Sequence, residues 1–205
     1  MFDGQGGEFS ATLTALGKQP AARLGPRLPI ERESSLAITL VQALASGDKM
    51  DWVVQKAVEL GVMAIQPVAA ERSVLKLAGD RAVKRVAHWQ QIAVAACEQC
   101  GRNRVPPVHE ALSLADWLAA HAQPAQDSPE SATRLVLSLQ PDAIALRDAV
   151  PASGPVWLLS GPEGGLAPAE EAVALAAGFV PVTLGLRVLR AETAPLAVLA
   201  ALTLG

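Results

Sequence analysis

No stretch of this 205-residue chain is apolar for the roughly 20 consecutive residues that a membrane-crossing helix needs. The opening Met1-Phe2-Asp3-Gly4-Gln5-Gly6-Gly7-Glu8 has neither the basic start nor the apolar centre of a signal peptide. A cytoplasmic protein that does not engage a membrane is the expectation. Basic residues are in no surplus: 17 Lys and Arg stand against 20 Asp and Glu, a net charge of −3, which excludes a protein that coats nucleic acid over its whole surface. Cysteine is scarce. Cys97 and Cys100 form a C-x-x-C with no second pair to complete four zinc ligands, and His88, His109 and His121 share no ligand spacing, so no metal is expected. Aromatics are few as well, at 3%. Trp52, Trp89, Trp117 and Trp157 all fall in helix or strand patterns, which assigns them to the core rather than to base stacking. The nucleotide-binding loops are also missing. No glycine-rich loop ends in Gly-Lys-Ser/Thr, and Gly161, Gly164 and Gly165 lack the dinucleotide spacing. Nor does an acid follow about 20 residues later in the manner of that fingerprint, because Glu192 lies inside another loop. A phosphate-free cofactor is expected.

What is present is a chain that is 51% hydrophobic, enough to bury a full core, with strand and helix patterns in alternation. Glu8 to Leu16 reads as one strand of a hairpin and Gly25-Pro26-Arg27-Leu28-Pro29 as a linker. Leu36 to Gln42 reads as a strand. Asp48 caps a helix carrying Met50, Val53, Val54, Ala57 and Val58 at helical spacing, which Gly61 stops, and Val62 to Val68 is the next strand. A long helix covers about Arg81 to Gln99, with Ala82, Val83, Val86, Trp89, Ile92, Ala93 and Ala96 on its inner side. Leu112 to His121 is a short helix, Gln123 to Ser131 a polar linker and Leu135 to Leu139 a strand. This alternation predicts an α/β fold with a mostly parallel sheet. No internal repeat is present.

Two glycine-punctuated segments near the end stand out. Val156 to Ser160 is a strand that runs into Gly161-Pro162-Glu163-Gly164-Gly165-Leu166, where the glycines allow positive φ and close approach of a ligand to the backbone. A helix then starts at Pro168, with Glu170 and Glu171 at its positive end, and stops at Gly178. Phe179 to Leu184 is the next strand. It opens into Gly185-Leu186-Arg187-Val188-Leu189-Arg190-Ala191-Glu192-Thr193-Ala194-Pro195, with Thr193 as N-cap of a helix bearing Leu196, Leu199 and Leu202. Both loops thus lie at carboxyl ends of parallel strands, where open α/β sheets bind ligands.

Together these two loops resemble the signature motifs of the SPOUT (α/β-knot) methyltransferases, and of the RsmE branch in particular, the 16S ribosomal RNA (uracil-N3)-methyltransferases. Three upstream segments agree: Gly47-Asp48-Lys49-Met50 leading to Gln55 through Gly61, Glu71-Arg72-Ser73, and Trp89 through Ala93 running to Glu98-Gln99-Cys100-Gly101-Arg102. The resemblance spans roughly residues 31–205. It implies a SPOUT fold whose C-terminal part is a trefoil knot, a rare exception to unthreaded connections. It implies S-adenosylmethionine as cofactor, a homodimer, and methylation of N3 of one uridine in small-subunit ribosomal RNA, free or assembled. Carried onto this chain, cofactor binding falls to Leu137, Ser160, Gly161, Pro162, Glu163, Gly164, Gly165, Leu184, Gly185, Arg187, Val188, Leu189, Glu192 and Thr193. RNA binding falls to Arg72, Arg102, Arg104 and Arg190, a local basic patch that can hold phosphates despite the net charge. Family members begin with a PUA-like β-barrel. Residues 1–30 match only a remnant of it plus a linker, short by about 40 residues on family length, and the chain ends inside the last helix.

The reaction needs donor and acceptor aligned and the uracil imide proton removed. A guanidinium near the uracil oxygens favours the imidate anion, and arginine remains protonated throughout. Arg190 and Arg72 are the first candidates. Glu163 or Glu192 is placed to act as base or to hold a backbone amide or an arginine, the structural role being favoured for Glu192. Two other functions compete. One is a SPOUT ribose 2′-O-methyltransferase, against which the upstream segments argue; the other is a cofactor-free RNA-binding factor in ribosome assembly, against which the glycine loops argue.

Overall fold

A computed structural model describes residues 1–75, 79–122 and 132–204; the polar linker expected at 123–131 lies outside them. In chain order the elements are β1 (Glu8–Ala15), β2 (Ala21–Leu28), β3 (Leu36–Ala43), α1 (Lys49–Glu59), β4 (Ala64–Ala69), α2 (Gly79–Cys100), β5 (Leu112–Ser113), α3 (Leu114–Ala120), β6 (Thr133–Leu137), β7 (Ile144–Ala145), α4 (Leu146–Ala149), β8 (Gly154–Ser160), α5 (Pro168–Ala176), β9 (Val180–Thr183) and α6 (Ala194–Thr203). Seven strands form one sheet in the order β5-β4-β3-β8-β6-β9-β7, and all its strand pairs are parallel.

Side chains of successive strand residues point to opposite faces, and this sorts the core into two layers. Ile38, Leu40, Leu135 and Leu158 face α1, α2 and α6, packing with Val54, Trp89 and Leu199. Val41, Val136 and Leu159 face the other way, onto α3 and α5, with Trp117, Ala174 and Phe179. Helices on both faces explain why β3 and β8 read as near-continuous apolar runs.

Because β3, β4, β6, β8 and β9 are parallel, the segments that follow them, beginning at Leu44, Ala70, Ser138, Gly161 and Leu184, emerge at one edge of the sheet. The helices return the chain to the opposite edge. Gly61, with φ of +82°, stops α1 as expected, and Gly178, with φ of +84°, ends α5. Thr193 and Asp48 precede their helices without a side-chain capping bond.

Several expectations need correction. The segment 25–29 is not a linker: β2 continues to Leu28 and pairs with β1. Both strands of this two-stranded ribbon are edges, where proline removes no ladder hydrogen bond that another strand needs. Val83 is exposed at 68%, one turn too early to reach the sheet, and Leu139 lies past the end of β6, exposed at 76%. Residues 112–121 divide into β5 and α3, with the Ser113 hydroxyl accepting from the Asp116 amide at 3.0 Å. Trp52 is not core: it is 52% exposed, with Lys56 Nζ 5.0 Å from its ring.

Candidate functional site

A cleft of about 150 Å³ opens at the carboxyl edge of the sheet, at the ends of the neighbouring strands β8, β6 and β9. Of the residues expected at a cofactor, Leu137, Ser160, Gly161, Pro162, Glu163, Gly165, Leu184, Arg187, Val188 and Leu189 line it. Gly164, Gly185, Glu192 and Thr193 do not line it, although each belongs to one of its two loops. The sequence reading missed Ser138 and Leu139, which enter from the segment after β6. The Ser138 hydroxyl bonds the Glu171 carboxylate on α5 and accepts from the Gln140 amide at 3.0 Å. That segment is therefore anchored to the helix that follows the glycine loop.

The three glycines of the first loop have different reasons. Only Gly165 has a positive φ, +67°, in a turn closed by its amide on the Pro162 carbonyl at 2.8 Å. Gly161 is needed for space: a Cβ there would stand 3.0 Å from the Leu166 amide nitrogen and 3.3 Å from the Gly165 carbonyl carbon. At Gly164 a Cβ would stand 3.3 Å from Cβ of Arg72. Of the three glycines that allow positive φ, only Gly165 uses it.

Arg72 braces this loop. Its Nη1 donates to the carbonyls of Gly164 at 2.9 Å and Leu166 at 3.3 Å, and the adjacent Glu71 amide donates to Glu170 on α5 at 2.7 Å. An arginine tied to loop carbonyls through Nη1 acts on the loop's shape, while the rest of its exposed guanidinium faces outward beside the cleft loop.

Glu163 does not suit a base. Its Oε1 accepts from the Ser46 amide at 3.1 Å, the Ser46 hydroxyl at 2.6 Å and Lys49 Nζ at 3.1 Å. Burial alone would raise this carboxyl, but the Ser46 hydroxyl, its own and the Ser46 backbone amides, and Lys49 outweigh burial and hold it at about 2. A carboxylate so stabilised has little tendency to take a proton near neutrality. Glu192 is held by the same ammonium, at 3.8 Å from Lys49 Nζ, in keeping with the structural role favoured for it.

The expected basic residues divide between the two edges of the sheet. Arg187 lines the cleft and Arg190 stands exposed in the second loop, with no side-chain hydrogen bond or ion pair among the described residues. Arg102 and Arg104 sit beyond the end of α2, at the far edge. Arg102 is 5% exposed; it pairs with Glu33 and donates to the carbonyls of Val58 at 2.9 Å and Val62 at 3.0 Å. It holds the end of α1 and has no free face for a phosphate, so the RNA contact expected of it is corrected to an internal strut. Arg104 is half exposed and engages Glu31 through Nε at 2.8 Å and Nη2 at 3.2 Å.

Near them Cys97 is buried beside the Arg104 carbonyl, and burial pushes its thiol up to about 11. A thiol so placed is a poor nucleophile.

The family profile described as the RNA methyltransferase domain matches residues 32–203. Among curated relatives, the ribosomal RNA small subunit methyltransferase E of Synechocystis sp. is 35% identical over 98% of this chain and 63% of its own length. That of Bacillus subtilis is 36% identical over 84% of this chain and 67% of its own. The chain thus spans about two thirds of the length of the curated relatives it matches. A crystal structure of ribosomal RNA small subunit methyltransferase E from Neisseria gonorrhoeae, bound to S-adenosyl methionine, superposes with a TM-score of 0.86 at 47% identity, covering 98% of this chain and 80% of that one. These matches, with the paired glycine loops that meet at one cleft, place the chain in the ribosomal RNA small subunit methyltransferase E (RsmE) family of RNA methyltransferases.

Proposed function

We propose that this protein transfers a methyl group from S-adenosylmethionine to N3 of a uridine in small-subunit ribosomal RNA. The observation that carries the reading is the cleft between the two loops, in a chain 47% identical to a relative that binds S-adenosylmethionine. The residues present fit that cofactor. Gly165, where a Cβ would meet nothing within 4 Å, leaves backbone bare of side chain at the cleft, Gly161 lets the loop close on itself, and Leu137, Leu184 and Leu189 supply apolar walls for an adenine ring.

When bound, S-adenosylmethionine supplies an electrophilic methyl group, the N3–C bond forming as the S–C bond breaks and the electron pair remains on sulfur. The protein's part is alignment and charge. Arg190, exposed beside the cleft with no partner of its own among the described residues, lowers the acidity barrier at N3 by favouring the imidate over the neutral uracil. With Glu163 held at about 2 and Glu192 facing Lys49, the imide proton leaves to water. Arg72 and Lys49 keep the loops in place, and Arg187 meets the cofactor or the RNA phosphate.

The same reading extends to assembly. The chain leaves β9 beyond β6 and returns to pack α6 against α1 and β3, an order of elements in accord with a trefoil knot. A homodimer and a cytoplasmic site accord with the family and with a ribosomal substrate; no helix among the described residues is long and apolar enough to cross a membrane. The β1–β2 ribbon stands for the PUA-like part and Arg104 for a rim contact to RNA. Calorimetry with S-adenosylmethionine, followed by transfer of labelled methyl into small-subunit RNA, tests the proposal: micromolar binding with label retained in RNA supports it, whereas RNA binding without cofactor binding identifies an assembly factor instead.

A further inference from the structure

Carboxylates from both cofactor loops converge on one cation. Lys49 is the first residue of α1, and its ammonium lies 3.1 Å from Glu163, in the loop after β8, and 3.8 Å from Glu192, in the loop after β9. A cation in the first turn opposes the helix dipole, so α1 itself gives no reason for a lysine there. The two ends of the bridge are unequal. Glu163 is also anchored by the amide and hydroxyl of Ser46, at the corner between β3 and α1. Oε2 of Glu192, by contrast, is buried with no hydrogen-bond donor among the described residues, and its distance to Lys49 is that of an ion pair only. A buried carboxylate oxygen without a donor is unfavourable, and a shift of about 1 Å by the second loop would bring it to charge-assisted hydrogen-bond distance.

We propose that Lys49 is a positioning residue that latches the second cofactor loop to the first through Glu192 and Glu163, and so sets the opening of the cleft. The latch rests on the reading of the cleft as a cofactor site. It acts on the cofactor's side of the reaction and does not touch the reacting atoms. Loss of the cation leaves two carboxylates facing each other across the loops, which pushes them apart.

The test uses Lys49→Met, Lys49→Arg, Glu192→Gln and the Lys49→Met/Glu192→Gln double variant. In hydrogen exchange on the protein without ligand, Lys49→Met should speed exchange in the loop 184–193 by about tenfold, with Lys49→Arg near the wild type. In turnover, KM for S-adenosylmethionine should rise by about tenfold while kcat at saturation changes by less than about threefold, a split that mere loss of fold stability would not produce. The double variant should be no worse than Lys49→Met alone, because both changes remove one interaction. Unchanged exchange in that loop, or single effects that multiply in the double variant, would overturn the latch. Should Lys49→Met not fold, Glu192→Gln carries the same exchange and KM test. A wild-type protein that binds no S-adenosylmethionine would remove the functional reading, while the exchange result would still decide the latch.

Discussion

Replacing Arg102 by alanine separates an internal strut from an RNA contact. Arg102 is 5% exposed, its guanidinium bound to Glu33 and to the carbonyls of Val58 and Val62 at the end of α1. Its removal leaves the Glu33 carboxylate, itself 12% exposed, without its partner. Breaking a buried pair from one side costs about 3–5 kcal/mol, a large part of the roughly 5–15 kcal/mol that holds a domain folded. For a chain of this length that corresponds to a fall in Tm of roughly 6–20 °C. Thermal and urea unfolding followed by circular dichroism measure it. The double variant Arg102→Met/Glu33→Gln should recover part of the loss, since it removes the unpaired charge while keeping much of the packing. If Arg102→Ala unfolds at the wild-type midpoint and loses RNA affinity in a salt-dependent way, the strut is wrong and Arg102 is a phosphate contact.

Gly161→Ala should reduce S-adenosylmethionine affinity by about tenfold or more with a small change in Tm, because the new Cβ meets the loop's own backbone at Gly165 and Leu166 and shifts the turn that lines the cleft; unchanged calorimetry would remove the argument that this loop's shape sets the site. Glu163 is held at about 2 against an ordinary 4.5, so the stability it contributes is complete above pH 4.5 and is lost as pH falls through about 2. The Tm of Glu163→Gln should therefore converge on that of the wild type as pH falls across that window, and curves that stay parallel would refute the lowered value. Single-turnover methylation should fall in the order wild type, Arg190→Lys, Arg190→Gln, with raised pH partly restoring the glutamine variant. An Arg190→Gln enzyme at full rate would leave Arg190 without a chemical role.

The sequence revealed the fold's spine because its signals are local. The helical period of α2, the apolar runs of β3 and β8 and the glycines after β8 and β9 all lie within short windows, and four of the five segments that carried the family resemblance surround the cleft or its loops. What it hid depended on distant partners. Glu163 looked like a possible base because Ser46 lies 117 residues away and Lys49 lies 114 away. Arg102 looked like an RNA contact because Glu33, its partner, lies 69 residues upstream. Trp52 adjoins Val53 and Val54, and a window pattern does not show that the helix turns it outward while its neighbours are buried. Gly25 and Pro26 read as breakers, yet an edge strand accepts both. Ser138 and Leu139 follow the short strand β6 with no motif of their own, and only the sheet order brings them to the cleft.

The central claim concerns which atom receives the methyl group. Small-subunit ribosomal RNA incubated with the protein and deuterium-labelled S-adenosylmethionine, digested to nucleosides and fragmented by mass spectrometry, places the label on the base or on the sugar. The account predicts label on the uracil ring as 3-methyluridine at one site, lost in Arg190→Gln. Label on a ribose, or unlabelled RNA from a protein that binds the cofactor, would contradict it.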